Sequence, residues 1–174
     1  MATEIERKFL VNRSWVDHKD PDDRGTQITQ GYLSLDPERV VRVRIATNHN
    51  TGVLSCTWTA KGKKVHLSAK EIEYPITYTD AEELLSLCIP GSIIEKYRYR
   101  IPHHIDTTLT YEVDSFRGAY KGLVIAELEL PFDDYVVLMP NWIQEDVTHE
   151  TKYANSAMAL RGVEQAQSIP KTSE

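Results

Sequence analysis

An alternation of charged and apolar side chains at the start of the chain restricts the possible folds of this sequence more than any other feature. In an extended strand, alternate side chains point to the same side. Glu4, Glu6 and Lys8 therefore share one face of a predicted first strand. Ile5 and Phe9 lie on the opposite face. Two carboxylates and an ammonium group fill a core poorly, whereas they suit a site that binds a metal ion together with an anionic ligand.

The same alternation returns on at least five later segments, and turn residues separate these segments. We predict about eight strands, at residues 2–11, 27–35, 39–45, 53–61, 70–77, 92–101, 107–116 and 123–130. We also predict a helix that starts at Thr79 or Asp80 and ends before Pro90, and a last helix at about residues 152–163. Because turns join consecutive strands, we expect antiparallel pairing. The chain is predicted to form one mainly β (α+β) domain at residues 1–164, followed by a mobile polar tail at residues 165–174.

The composition is that of a globular protein with an acidic balance. The 174 residues are 41% hydrophobic and include 26 acidic and 20 basic side chains, which gives a formal net charge of −6. A nucleic-acid partner would usually show as a basic surplus. No apolar run approaches the ~20 residues that span a membrane. We therefore expect neither a nucleic-acid partner nor a membrane partner.

The cysteine and histidine residues indicate an intracellular protein without a zinc site. Cys56 and Cys88 lie outside any metal-ligand spacing, and we interpret them as reduced packing residues of a cytoplasmic protein. Charged residues begin at Glu4, so we expect no secretory leader. We interpret His103 and His104 as a pair in a surface loop rather than as zinc ligands.

The charged positions that alternate with apolar neighbours fall into two sets. The anionic set is Glu4, Glu6, Glu71, Glu73, Glu112, Asp114, Glu127 and Glu129. The cationic set is Lys8, Arg42, Arg44, Lys61, Lys96 and Arg98.

The sequence does not state directly which face of the strands points inward. Small barrels usually bury their apolar face, but a barrel can also hold a polar interior, with its apolar face packed under helices and loops. Long basic side chains beside paired carboxylates, strand after strand, would make an unusual outer surface. Burying both sets without a ligand is also costly, because desolvating each ion costs several kcal/mol and pairing offsets this only with good geometry. We therefore predict that the charged face points inward.

A ligand with several negative charges, bridged to a divalent metal ion, resolves the cost of burying these charges. Arginine forks and lysine point charges bind phosphoryl oxygens. Carboxylate pairs hold Mg²⁺ or Mn²⁺, which typically take one or two protein carboxylates together with phosphate oxygens and water. The predicted cofactor is therefore Mg²⁺ or Mn²⁺, and the sequence does not choose between them.

The order of these motifs closely resembles the CYTH superfamily, the triphosphate tunnel metalloenzymes. The resemblance begins with the opening Glu-x-Glu-x-Lys signature at residues 4–8 and covers most of the chain. It continues through Gln30-Gly31-Tyr32-Leu33, Arg42-x-Arg44, Thr59-x-Lys61, Glu71-x-Glu73, Glu95-Lys96-x-Arg98-Tyr99, Glu112-x-Asp114-x-Phe116 and Glu127-x-Glu129. The opening motif and the Gln-Gly-Tyr-Leu motif look most like the bacterial short-chain tripolyphosphatases.

The resemblance implies an eight-stranded antiparallel β-barrel whose tunnel binds a triphosphate with a divalent metal ion. It implies that Glu4, Glu6 and Lys8 are catalytic residues. The phosphate ligands that it implies are Lys8, Arg42, Arg44, Lys61, Lys96 and Arg98. The metal ligands that it implies are Glu4, Glu6 and Glu129, with Glu71, Glu73, Asp114 and Glu127 supporting the metal or water. Lys152 stands where relatives often carry arginine, which puts a bidentate phosphate contact from the last helix in doubt.

Three functions remain open on the sequence. The first is metal-dependent hydrolysis of a triphosphate, with inorganic tripolyphosphate preferred and ATP or thiamine triphosphate as alternatives. The second is a class IV-type adenylate cyclase that makes cyclic AMP from ATP, although no sequence feature supplies a base and ribose pocket. The third is a module that binds polyphosphate without catalysis. The sequence leaves the natural substrate, the general base and the oligomeric state open.

Overall fold

The structure is a computed structural model that describes residues 2–63, 65 and 68–168, with the side chains of residues 2–4 and 68 left aside. Within these ranges the chain forms one antiparallel sheet of nine strands. The strands are β1 Ala2–Val11, β2 Thr26–Ser34, β3 Arg39–Asn48, β4 Leu54–Gly62, β5 Ser68–Pro75, β6 Ile94–Pro102, β7 Thr110–Phe116, β8 Val124–Glu129 and β9 Ile143–Asp146.

The sheet curls because β1 pairs with three other strands. The order across the sheet is β5-β4-β3-β2-β6-β7-β8-β1-β9, and β5 also pairs with β1. The first half of β1 pairs with β5, from Ala2 opposite Glu71 to Ile5 opposite Ser68. The curled sheet therefore has an inner face and an outer face, and the eight predicted strands that build it are confirmed.

The ninth strand, β9, was not predicted. Its residues pair with the second half of β1, where Asp146 lies opposite Phe9. The strand has only four residues and begins three residues after Pro140. A segment this short shows no alternation, so only its pairing with β1 identifies it as a strand.

Two α-helices accompany the sheet, α1 at Tyr78–Ser86 and α2 at Asn155–Ser168. The N-cap of α1 is Thr77, earlier than predicted, and the Thr77 hydroxyl accepts a hydrogen bond from the Asp80 backbone at 3.1 Å. None of the described helices is long and apolar enough to cross a bilayer. Short 3₁₀ turns lie at Arg13–His18, Gly118–Tyr120 and Thr151–Tyr153.

The last helix starts and ends later than predicted. Lys152 and Tyr153 belong to a 3₁₀ turn, and α2 continues to Ser168. The first four residues of the predicted tail, residues 165–168, are therefore helical, because the turn that precedes α2 shifts the helix towards the C-terminus. Residues 169–174 lie outside the described residues, and the division into a domain at residues 1–164 and a mobile tail stays a prediction.

The largest apolar cluster packs on the outer face of β1, β6, β7 and β8. Phe9, Tyr111 and Leu128 are fully buried there, and Trp15 and Trp142 cover them from the loops. Both tryptophans therefore serve in packing. This outer core fixes the orientation of the strands, because the side chains that alternate with it must point to the inner face.

A second apolar cluster lies at one end of the inner face, under α2. Tyr32, Ile94 and Phe116 have the same strand phase as the charged positions, and they pack against Met158 and Ala159 of α2. All five are buried. We call these five residues the apolar floor, because they close the charged part of the inner face at this end.

A third cluster packs α1 against β3 and β4 and contains both cysteines. Cys56 and Cys88 are buried free thiols that pack with Val43 and Ala81. This agrees with their predicted role as packing residues.

The prediction for His103 is wrong, because its ring is buried rather than exposed in a surface loop. It is 2% exposed, and its Nδ1 accepts hydrogen bonds from the backbone N–H groups of Ile105 and Asp106 at 3.2 and 3.0 Å. Its Nε2 lies 3.1 Å from the Leu138 carbonyl oxygen. The turn and the loop that covers it satisfy both ring nitrogens, which makes burial of the ring possible. His104 is exposed.

Candidate active site

The strand register brings the predicted charged residues together on the inner face. Lys8 lies directly opposite Glu127, and Arg98 lies opposite Asp114. Directly opposed residues of an antiparallel pair share a face. Each pair therefore places a cation beside a carboxylate, which the sequence of a single strand does not reveal.

A largely buried ion cluster occupies the centre of the inner face. The Lys8 Nζ lies 2.6 Å from Glu127 Oε1. The Arg98 guanidinium donates two hydrogen bonds of 2.7 Å to Asp114, one to each carboxylate oxygen, and one of 3.1 Å to Glu127. The Lys96 Nζ lies 2.5 Å from Asp114 Oδ2, and both side chains are 1% exposed. We call these five residues the central ion cluster.

The pKa values of the central ion cluster show how completely each charge is compensated. Burial favours the neutral forms, but the facing carboxylates outweigh it and raise the pKa of Lys8 and of Arg98. Burial is likewise outweighed by the facing cations, which hold the pKa of Glu127 well below its ordinary value and also lower the pKa of Asp114. These four groups are therefore charged.

Lys96 is the exception in the cluster. Burial lowers the pKa of Lys96 to about 7, and Asp114 offsets only part of this effect. Asp114 is shared with Arg98, whose own positive charge also lowers the pKa of Lys96. The Lys96 ammonium group is therefore under-compensated, and an additional negative charge beside it would stabilise its charged form.

Two arginines on β3 are also incompletely compensated. Arg42 donates to Thr59 at 3.1 Å and lies 3.4 Å from Glu73, but its buried Nε has no hydrogen-bond partner. Arg44 donates from Nε and Nη2 to the Gln30 side-chain oxygen, at 3.1 and 2.9 Å. Among the described residues, no carboxylate forms a salt bridge with Arg44. Burial and the nearby Arg42 and Arg98 charges lower the pKa of Arg44 to about 10.

Lys61, Glu71 and Glu73 lie on the neighbouring strands β4 and β5. Lys61 Nζ is 2.5 Å from Glu71 Oε2. Glu73 accepts a hydrogen bond of 2.7 Å from the Thr59 hydroxyl, and its side chain is 42% exposed. The structure therefore brings all six predicted cations to the inner face, with Lys61 and Glu73 nearer to solvent than the central ion cluster.

Two of the predicted metal ligands, Glu6 and Glu129, lie towards the end of the inner face away from α2. Glu6 is directly opposite Glu129 on the paired strand, and Glu129 is exposed. The Glu6 carboxylate is 3.5 Å from Lys8 Nζ. For Glu4 only the backbone is described, within β1. Among the side chains that the structure describes, no three acidic, histidine or cysteine residues come close enough to form a metal cage.

Four polar residues without a predicted role complete the inner face. Gln30 is fully buried and binds Arg44, and Thr59 joins Arg42 to Glu73. Glu112 ion-pairs with Arg98. Asn155, the first residue of α2, accepts a hydrogen bond from Lys96 at 3.1 Å. Strand phase identifies Gln30, Thr59 and Glu112 as inner-face residues, whereas no local pattern identifies Asn155.

The side chain of Lys152 does not point into this site. It is 59% exposed and pairs with Glu150 at 2.8 Å in the turn before α2. Its exposed position is consistent with the doubt, raised by the sequence, that this residue makes a bidentate phosphate contact.

The fold and the site together define a class of protein in which a curled antiparallel sheet encloses a polar interior of alternating cations and carboxylates. Comparisons with curated proteins and with solved structures place the chain within this class. The search against family models found no match.

Two curated relatives span nearly the whole chain. The inorganic triphosphatase of Acetivibrio thermocellus is 38% identical over 156 residues, which cover 90% of this chain and 92% of that protein. The inorganic triphosphatase of Nitrosomonas europaea is 32% identical over 162 residues, which cover 91% of this chain and 97% of that protein. The chain therefore belongs to the inorganic triphosphatase family of the CYTH superfamily.

Solved structures show the same fold. The crystal structure of the inorganic triphosphatase NE1496 is 30% identical, covers 98% of this chain and 99% of its own, and superposes with a TM-score of 0.61. A protein described as a putative adenylyl cyclase with a dominant triphosphatase activity, from Hippeastrum, is 14% identical with a TM-score of 0.53 and covers 74% of this chain and 80% of its own. This second likeness shows the fold alone.

Proposed function

We propose that this protein hydrolyses inorganic triphosphate at its terminal phosphoryl group, in a reaction that depends on a divalent metal ion. Membership of the inorganic triphosphatase family supports the reaction. The observation that carries the proposal to this chain is the incomplete compensation of the half-buried Arg42 and Arg44 side chains, of which Arg42 has a buried Nε without a hydrogen-bond partner. Phosphoryl oxygens of a polyphosphate would supply the acceptors that these groups lack.

In this proposal the cations of the inner face hold the phosphate chain. Lys8, Arg42 and Arg44 bind phosphoryl oxygens together with Lys61, Lys96 and Arg98. The positive charges also offset the negative charge that spreads over the transferred phosphoryl group in the transition state. Water attacks the terminal phosphorus, the bridging P–O bond breaks, and pyrophosphate and orthophosphate leave.

The carboxylates divide into two groups. Glu127 and Asp114 ion-pair with Lys8, Lys96 and Arg98, which supports a role in holding those cations in place. Their predicted role in supporting metal or water, like that of Glu71 and Glu73, stays a prediction.

Glu6 of β1 and Glu129 of β8 would hold the divalent metal ion, together with Glu4, which lies near the start of β1. Like charges directly opposite one another destabilise a pair of strands, and a cation between Glu6 and Glu129 would remove this repulsion. The pair fits Mg²⁺ or Mn²⁺, which bind through one or two carboxylates and complete their shell with substrate oxygens and water. When bound, the metal ion supplies charge neutralisation and a more acidic water molecule.

The free, buried thiols of Cys56 and Cys88 support the predicted cytoplasmic location, because thiols persist in reducing compartments.

Phosphate release from tripolyphosphate, with Mg²⁺ or with Mn²⁺, tests the proposed function. Glu6→Ala and Glu4→Ala are expected to abolish turnover, and Arg42→Ala is expected mainly to raise KM. Glu83→Ala, which removes an exposed carboxylate on α1, serves as the matched control and should keep wild-type rates. Unimpaired turnover in both Glu4→Ala and Glu6→Ala would refute the metal assignment.

A parallel assay with ATP and thiamine triphosphate tests the substrate class. We expect tripolyphosphate to give the largest kcat/KM, because the described inner face is lined by phosphate-binding cations and ends in an apolar floor. Formation of cyclic AMP from ATP would contradict hydrolysis as the reaction. Tight binding of tripolyphosphate without turnover would instead favour a binding module.

A further inference from the structure

Two neutral amide side chains link cations of the inner face that come from different elements. Gln30 Oε1 accepts two hydrogen bonds from the Arg44 guanidinium, at 3.1 and 2.9 Å. Its Nε2 donates to Tyr32 Oη at 3.0 Å and to Asn155 Oδ1 at 3.3 Å. The orientation of the Gln30 amide is determined, because a guanidinium group only donates and must face the oxygen.

Asn155 completes the link on the other side. Its Oδ1 accepts from Gln30 Nε2 and also from Lys96 Nζ at 3.1 Å. Lys96 is therefore held between the Asp114 carboxylate and the Asn155 amide oxygen. We call the pair Gln30 and Asn155 the amide bridge, since it joins Arg44 of β3 to Lys96 of β6.

The chemistry of an amide suits this position better than that of a carboxylate. An amide oxygen accepts hydrogen bonds and so fixes the direction of a cationic side chain, but it carries no charge that would neutralise the cation. A carboxylate in the same place would form a full ion pair and compete with a bound anion. The amide bridge therefore orients two cations and leaves their charge for a ligand.

The placement of α2 delivers Asn155 to the bridge. Met158 and Ala159 are buried in the apolar floor. The backbones of Gly91 and Gly162 touch, so that a Cβ atom at Gly162 would lie 2.3 Å from the Gly91 carbonyl oxygen. The helix is thus fixed one to two turns beyond Asn155, and the Asn155 side chain has a defined position at its N-terminus.

We propose that Gln30 and Asn155 are positioning residues that hold Arg44 and Lys96 at a set separation and keep both positive charges available to a bound triphosphate. The inference rests on the proposed triphosphate site for its ligand. The contacts of the bridge themselves do not depend on that ligand.

The decisive variant is Asn155→Asp, which keeps the shape and the acceptor oxygen but adds a negative charge. KM for tripolyphosphate is expected to rise by about tenfold or more, because a like charge opposes binding of a polyanion. The melting temperature of the unliganded protein is expected to rise by about 2–4 °C, because the new carboxylate compensates Lys96. Damage to the fold would raise KM and lower the melting temperature, so the two readouts separate positioning from a structural role.

Asn141→Asp is the matched control, since it adds the same charge on an exposed loop residue. It should leave KM and the melting temperature unchanged. Asn155→Ala, which removes the acceptor from Lys96 without adding charge, should raise KM severalfold while kcat changes much less. A KM within twofold of wild type for both Asn155→Asp and Asn155→Ala would overturn the proposal.

Failure of this inference is distinguishable from failure of the proposed function. If wild-type protein neither binds nor hydrolyses tripolyphosphate, the proposed function is wrong. The melting temperatures of unliganded Asn155→Asp and wild-type protein still test the amide bridge. A higher melting temperature for Asn155→Asp than for wild type supports the bridge in that case. A lower one overturns it.

Discussion

Replacing Arg44 with methionine is expected to stabilise the unliganded protein while it weakens triphosphate binding. Burial and the charges of Arg42 and Arg98 lower the pKa of Arg44 from 12.5 to about 10. Because the folded-state pKa lies below the unfolded-state value, the charged guanidinium destabilises the fold. The penalty is fully present at pH 7, where the arginine is charged in both states. It is relieved only as the pH rises from about 10 towards 12.5.

The magnitude follows from the size of the shift. Each pKa unit corresponds to ~1.4 kcal/mol, so the penalty is roughly 3 kcal/mol. The variant also leaves the buried Gln30 oxygen without its donor, which costs about 1–3 kcal/mol. The expected net gain in the free energy of unfolding is about 1 kcal/mol, or a rise of about 2–4 °C in melting temperature. The double variant Arg44→Met, Gln30→Met removes both partners, and its free energy of unfolding should rise by more than that of Arg44→Met alone.

The assay is thermal and urea unfolding at pH 7, without and with tripolyphosphate. At a ligand concentration of ~100 times Kd, wild-type protein should gain about 2.7 kcal/mol of stability, and Arg44→Met should lose most of this gain. Arg39→Met, at a side chain that is 78% exposed on the same strand, is the control. It should change the free energy of unfolding by less than about 0.5 kcal/mol.

One result would refute the reasoning. If both Arg44→Met and the double variant unfold more easily than wild type in the absence of ligand, while Arg39→Met does not, the Arg44 guanidinium stabilises the free protein. The charge of Arg44 would then need no bound anion to compensate it.

Two further predictions concern stability. The Lys8 and Arg98 charges outweigh burial and hold the pKa of Glu127 well below 4.5. The ionised carboxylate therefore contributes to the free energy of unfolding above pH ~4.5, and this contribution is lost as the pH falls through the folded-state pKa. Urea unfolding between pH 7 and pH 3 should therefore show a smaller loss for Glu127→Gln than for wild type, by up to ~1.4 kcal/mol per pH unit, and equal losses would contradict this. Met158→Ala, at a fully buried side chain, should cost about 2–5 kcal/mol. Leu160→Ala, at a 44% exposed residue of the same helix, should cost much less, and similar losses would show that α2 is not anchored by the apolar floor.

Much of the fold could be predicted from local patterns. The alternation in β1, with Glu6 and Lys8 against Phe9, marks both the strand and its two faces, because side chains alternate with a period of two in any extended segment. Eight strands were identified in this way. The boundaries of α1 and α2 were less accurate, because Thr77 caps the first helix and a 3₁₀ turn precedes the second.

Part of the candidate site could also be predicted from sequence, but not its internal geometry. The cations and carboxylates were identified individually. That Arg98 is shared between Asp114 and Glu127, and that Arg44 binds only the Gln30 amide among the described residues, depends on register between strands distant in the sequence. Strand phase marks Gln30 as facing inward but does not indicate which cation it binds.

The features that local sequence could not provide all depend on contacts between distant segments. Strand β9 exists because it pairs with β1, His103 is buried because a distant loop covers it, and Asn155 reaches Lys96 because α2 is anchored on the floor. By itself, the sequence determined eight of the nine described strands and which of their side chains share a face, since these follow from the local backbone period. Only the tertiary structure decided which charges meet and which lack a partner, because pairing energy depends on distance and burial.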